Sequence, residues 1–312
     1  MKKLQLHYPV HTLDGTEIFA VGEELSEAAI REARKRCPPP PPEYHFLMKH
    51  GSVFNDLMDL MGQPPYGAIF MNSGDRDTVL SLMKQSKVQT GILEALDYFH
   101  RKDPYTYRHT LMVFALSLLL TRHLGVPGNN LELEILTAGP THDLGKICVP
   151  LPILLKQDAL TRSERRHLEH HAAAGCALLS WYTGDADSPA ARIARDHHER
   201  TDGSGYPGKI QLQDMLVEII AVCDIYDALV STRPYRGASF DNRTALEELT
   251  ELASQGRLRR EIIQSLVALN RRSRPSVATC VVSLERRGTP PADNRYGITL
   301  PDDAQGQHTH KP

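Results

Sequence analysis

The sequence predicts a mainly α protein. A helical bundle spans residues 88–270, a small α/β module of residues 1–87 precedes it, and an irregular tail of residues 271–312 follows. Three observations predict this. Apolar residues recur at helical spacing from Val88 to about residue 270. Turn and strand signals concentrate before residue 88. Beyond residue 270, "RRSRPSVATCVVSLERRGTPP" loses the helical period, and the chain end reads as partly disordered.

Taken in order, "LDGTEIFAVG" (13–22) reads as a turn and a strand, and Ser26 caps a short helix over "EAAIREARKRC". The prolines at 38–42 form a stiff spacer that neither a helix nor a central strand can include. "YGAIF" (66–70) reads as a further strand. No chemical motif stands out in this module. "VQTGILEALDYFHRK" opens the bundle, and Asp103-Pro104 ends that helix and starts the next, which carries His109. Another helix runs from about 130 to Asp143. Thr161 and Glu164 make a capping box for a helix through His171. Ser188-Pro189 opens a helix ending at His197-His198. "MLVEIIAVCDIYDALVS" (215–231) is apolar enough to be a core helix, yet it holds Asp224 and Asp227.

Composition narrows the function classes. A net charge of -2 over 312 residues gives no sign of a non-specific nucleic-acid or membrane surface. The cysteines at 37, 148, 176, 223 and 280 are odd in number and scattered without a C-x-x-C pair, as in a reduced, cytoplasmic protein. "MKKLQLHYPVHTLDG" has no apolar stretch behind its lysines and does not read as a signal peptide. The most apolar run, "LMVFALSLLL", is too short to span a bilayer.

His109, His142-Asp143, His171, His197-His198 and Asp224 form a series across the predicted helices. His100, His123, His167 and His170 fall where an exposed helical face is expected and are set aside. Asp224 sits inside "IIAVCDIYDAL", and Asp143 lies between apolar segments. A buried carboxylate is costly unless it is paired or bound to a cation, so a metal site would satisfy both. Imidazoles and carboxylates without thiolate suit Mn, Fe, Co or catalytic Zn. Seven ligands are too many for one ion. Two ions sharing Asp143 would divide them into His109, His142, Asp143 and Asp224 on one, and Asp143, His171, His197 and His198 on the other. Such a pair suits in-line attack on phosphorus. Gly139-Pro140, just before the His-Asp pair, would kink the chain and turn both side chains toward one site.

"THDLGK" and "HHERTDGSGYP", with "LLKQDALT" and "AVCDIYDALVSTRPYR", resemble the HD-GYP family of metal-dependent cyclic dinucleotide phosphodiesterases over roughly residues 88–270. The resemblance implies an HD-type bundle of about seven helices. It also implies hydrolysis of cyclic di-GMP to pGpG and/or GMP, with cyclic GMP-AMP or another nucleotide as an alternative substrate and a non-turnover sensor or cyclase-docking module as an alternative role. Two divalent ions, Fe or Mn, are the implied cofactors. It places His109, His142, Asp143, His171, His197, His198 and Asp224 on metal-ligand positions, and Lys146 on a phosphate-contacting lysine. Arg233 and Arg236 fall on basic residues near the dinucleotide. Asp202, Gly203, Gly205, Tyr206 and Pro207 form the GYP loop, with Tyr206 over the substrate. Docking of a diguanylate cyclase domain and a homodimer are further implied partners. Tyr105 stands where some members carry a glutamate for a third metal, which implies two metals here. Met112 replaces a frequent arginine without removing a ligand.

Overall fold

The computed structural model describes residues 4–125, 130–232, 239–292 and 298–302. Its centre is the helix Pro104–Leu124, in which nearly every side chain from Thr106 to Thr121 is buried. A helix apolar all round has to be surrounded. Thr90–Lys102, Met215–Val230, Arg260–Leu269, Val53–Gly62, Ser73–Met83 and Leu131–Ala138 all pack on it. Met215–Val230 is buried along its whole length after the first residue. A second buried helix, His171–Thr183, packs against Pro189–Asp196 and the 3-10 turn Leu144–Cys148. That last contact depends on Gly145. A Cβ there would lie 2.0 Å from the His171 carbonyl oxygen and 2.4 Å from the Gly175 nitrogen. The missing side chain lets the turn after Asp143 approach the helix that begins at His171.

The strands are short and pair in twos, and Glu17–Phe19 lies within the stretch 13–22 expected to hold a strand. Leu4–Gln5 pairs antiparallel with Glu24–Leu25, Val10–His11 with Glu17–Phe19, and Tyr44–Phe46 with Lys87–Gln89. Ser26 accepts the capping hydrogen bond from the Ala29 amide. These residues wrap the bundle, and one buried apolar core runs from Leu4 through both helical layers to Cys280.

Several expectations need correction. "YGAIF" is helical over Tyr66–Ile69, because Tyr66 and Ile69, three apart, both face the core and a helical turn buries both. The helix expected to reach Asp143 ends at Ala138, and a 3-10 turn Gly139–Thr141 follows. The capping box at Thr161 is present, but its helix stops at Glu169 and a new one starts at His171. The helix expected to end at His197-His198 ends at Asp196. His170 is buried rather than exposed, since Tyr8 packs across His167 and His170. The tail is mostly irregular, yet Thr299–Leu300 pairs in parallel with Leu160–Thr161.

Candidate metal centre

Five separate segments bring His109, His142, Asp143, His171, His197, His198 and Asp224 into one buried cluster. Asp103 caps the central helix by accepting from the Thr106 amide, which sets His109 within its second turn. Pro140, with ψ at +18°, takes the chain out of helical geometry just before His142. A straight helix would splay His142 and Asp143 by about 100°; here both side chains face the same centre, 0% and 3% exposed. His197 and His198 follow the last residue of their helix, where the backbone is free to turn both rings inward.

The outward nitrogens fix what the inward ones can do. His171 Nδ1 donates to the Leu168 carbonyl at 2.6 Å, and His197 Nδ1 to the Ile193 and Ala194 carbonyls at 3.0 Å. His109 Nδ1 donates to Asp227 Oδ2 at 2.7 Å. A neutral imidazole with its proton on Nδ1 presents a lone pair at Nε2. Those Nε2 atoms converge. His171 lies 3.3 Å from His197 and 3.1 Å from His198, and His109 lies 3.2 Å from His142. Ligand atoms about 2.1 Å from one ion stand about 3.0 Å apart in octahedral and about 3.4 Å apart in tetrahedral geometry. The observed spacings match neighbouring ligands on a shared cation.

The cluster separates into two triads, His109 with His142 and Asp224, and His171 with His197 and His198. Asp143 lies between them. Its Oδ2 is 3.4 Å from both His109 and His142, and its Oδ1 is 3.5 Å from His171. Burial pushes the His171 ring down to about 4 and, joined by the neighbouring His142, the His197 ring down to about 3. Both are therefore neutral, the ligand form. Burial also lowers His109, but hydrogen bonds to Asp224 and Asp227 outweigh it and hold the ring up at about 9; a cation bound at its Nε2 would displace that second proton, since both use the same lone pair. Burial raises Asp143 and Asp224, yet Lys146 and His142 beside the first, and His109 and His198 beside the second, hold both well below the usual carboxylate range. Carboxylates this deep call for positive charge, and the donor set fits divalent metal.

Above the cluster is a cavity of about 280 Å³, lined by His109, Asp143, His171, His198 and Asp224 on its floor. Lys146 enters it with its ammonium 2.6 Å from Asp143 Oδ2. Lys156, Arg165 and Arg200 also line it; the first two pair with Glu164 and Glu169. Tyr105 stacks on His109, with ring centroids 5.5 Å apart. Met112 is buried in the core. Tyr206 lies over His198, with centroids 4.5 Å apart and planes within 22°. Asp202 shapes the start of the loop by accepting from the Ser204 amide at 2.9 Å, and Gly203 turns the chain there at φ +80°. Gly205 packs flat on the preceding strand of chain: a Cβ would lie 2.3 Å from the His198 oxygen and 2.4 Å from Glu199 Cα. Pro207 follows Tyr206 at the half-buried end of the loop. Arg233 and Arg236 lie outside the described residues.

Two residues around the site were given no role by the sequence reading. Glu199 is fully buried and accepts from the Gly208 and Ile210 amides at 2.5 and 3.1 Å, tying the loop to the histidine pair. Asp227 is fully buried against His109. Glu199 could have been noticed as a carboxylate beside the histidines. Asp227 sits one turn from Asp224, but its partners lie far away in sequence.

The profile of the HD domain family matches residues 94–262, more than half of the chain. The chain belongs to the HD domain family. Within that family, the His197–Pro207 stretch places it in the HD-GYP branch. It is 38% identical over 148 residues to a cyclic di-GMP phosphodiesterase of Thermotoga maritima, covering 46% of this chain and 40% of that one. To a cyclic di-GMP phosphodiesterase of Pseudomonas aeruginosa it is 41% identical over 136 residues, covering 43% and 32%. To a 3'3'-cGAMP-specific phosphodiesterase of Vibrio cholerae it is 33% identical over 170 residues, covering 53% and 38%. The chain thus spans well under half the length of these relatives. HD domain phosphohydrolases are metal-dependent, and the cluster supplies the His and Asp groups such a member needs.

Proposed function

We propose that the chain is a metal-dependent phosphodiesterase that hydrolyses a cyclic dinucleotide, cyclic di-GMP foremost, to pGpG or onward to GMP. The observation that carries this is the meeting of two ligand triads on opposite oxygens of Asp143, beneath a cavity with an ammonium and an aromatic ring at its wall. His109, His142, Asp143 and Asp224 would hold one divalent ion, and Asp143, His171, His197 and His198 the other. Fe or Mn suits this mix of imidazole and carboxylate. Bound there, the ions supply Lewis acidity for attack of water on phosphorus. Lys146, already at the wall of the cavity, binds a phosphate oxygen. Tyr206 offers its ring to a base, and Arg233 and Arg236 grip phosphate as the family resemblance implies. Water adds its oxygen to phosphorus, the P–O3' bond breaks, and the ribose O3' takes up a proton.

The cyclic GMP-AMP relative supports a second substrate reading, since its aligned stretch is the longest of the three. The exposed loop tip at Asp202 and Ser204 supports docking of a cyclase domain there, and a homodimer remains part of the same proposal. The five free cysteines support a reducing, cytoplasmic compartment. No helix among the described residues is long and apolar enough to cross a membrane. The test is product analysis by chromatography with both cyclic dinucleotides, on protein of measured metal content. Linear dinucleotide should form from at least one of them. Tight binding of metal and nucleotide without any product would make the chain a sensor instead.

A further inference from the structure

Asp227 should be expensive to bury, and three groups answer for it. His109 Nδ1 donates to Oδ2 at 2.7 Å, and the Ser231 hydroxyl donates to the same oxygen at 2.9 Å. The third is the Tyr66 hydroxyl, which donates to Oδ1 and lies 2.9 Å from the Ser231 oxygen. Asp227 is 0% exposed and Tyr66 5%. Tyr66 comes from residues 1–87, to which the sequence assigns no chemistry. It opens the helix Tyr66–Ile69, and the end of that helix is tied down in turn, since Arg274 donates to the Ile69 carbonyl and pairs with Asp75 at 2.8 Å. The phenol stays protonated because burial and then the charge of Asp227 raise its pKa well above the usual value, so it remains a donor.

An imidazole ligand works only if its ring is aimed and its proton sits on the outer nitrogen, and the group bonded to that nitrogen decides both. For His109 that group is Asp227. His109 and Ser231 both bond Oδ2, and Tyr66 is the group that bonds Oδ1 and so fixes the plane of the carboxylate. With Tyr66 on Oδ1, the Oδ2 facing His109 is held in place. The geometry points to Tyr66 as a positioning residue of the metal centre: through Asp227 it sets the orientation of His109, so residues 1–87 complete the site rather than only flanking it. This rests on the proposal that His109 ligates an ion.

The test uses the full chain and reads metal affinity ion by ion, by chelator competition with Mn(II) followed by elemental analysis. Tyr66→Phe keeps the ring and removes only the hydroxyl. The ion held by His109, His142 and Asp224 should bind about tenfold more weakly, while the ion on His171, His197 and His198 keeps its affinity. Asp227→Asn should weaken the first ion further, within the range of about 10–100-fold known for outer partners of metal ligands. The thermal melt of each metal-free variant separates this from general unfolding. If Tyr66→Phe lowers that melt severely, Ser231→Ala provides the second variant, with the same loss expected at the same ion. Parental affinity for the His109 ion in folded Tyr66→Phe and Asp227→Asn proteins, or an equal loss at both ions, would overturn the inference. His109→Ala distinguishes the deeper failure: if it leaves metal binding untouched, the proposed ligand set is wrong and the inference falls with it.

Discussion

At the scale of single residues, Asp143 carries the greatest consequence. Its two oxygens face different triads, so Asp143→Ala should empty both ion sites and abolish turnover while the far-ultraviolet dichroism stays helical. Elemental analysis checks it, and a variant that keeps two ions would disprove the shared ligand. His198 and Tyr206 stack on each other but should fail in different ways. His198→Ala should lose metal and turnover together. Tyr206→Ala should keep its metal and show a raised KM, since stacking on a base contributes about 1–3 kcal/mol. Equal metal loss in both variants would make Tyr206 part of the scaffold. The residues that meet in the cluster were legible from one-dimensional evidence because each is a polar residue in an apolar stretch or stands beside another of its kind. Asp227 shared that signature with Asp224 but could not be told apart from it. Its partners His109 and Tyr66 are 118 and 161 residues away, and nothing local marks a carboxylate that binds an imidazole instead of a metal.

At the scale of elements, the breaks between helices matter more than the helices. The kink at Gly139-Pro140 and the stop after Asp196 aim the ligands, and the first was readable because proline and glycine leave a local mark. The second was displaced because helix ends follow hydrogen bonding, which a sequence shows only loosely. Tyr66–Ile69 misled because a four-residue apolar run fits a buried strand and a helical turn alike. The parallel pairing of Thr299–Leu300 with Leu160–Thr161 left no trace in either segment. For the GYP loop, the tight seat of Gly205 gives a direct expectation. Gly205→Ala would force backbone against backbone and should cost about 1–3 kcal/mol, the usual scale of overpacking. Urea titration measures it, and turnover should drop with the displaced Tyr206. A variant as stable and active as the parent would show that the loop can relax around a methyl group.

At the scale of the whole molecule, the N-terminal residues and the bundle share their interior. The Trp181 indole donates to the Cys37 carbonyl at 2.7 Å, Tyr107 to Asp56 at 2.7 Å, and Ser86 to the Leu136 carbonyl at 2.7 Å. Calorimetry of the full chain should therefore show one cooperative unfolding transition. Two resolved transitions would mark residues 1–87 as an independently folding module. Chelation should move that transition down by several degrees, since each ion at about 100 times its Kd adds about 2.7 kcal/mol. The convergence of ligands from five segments has one more consequence. Ions bound there would act as cross-links, closing loops of chain between His109 and Asp224 much as disulfides do. The 3-10 turn Leu144–Cys148 and the loop from His198 to Gly208 follow directly on Asp143 and His198 and lie outside the α-helices. In metal-depleted protein, amide exchange should quicken first in those two stretches and only later in the central helix. Scarcity of metal would then slacken the rim that faces the substrate before it unfolds anything else.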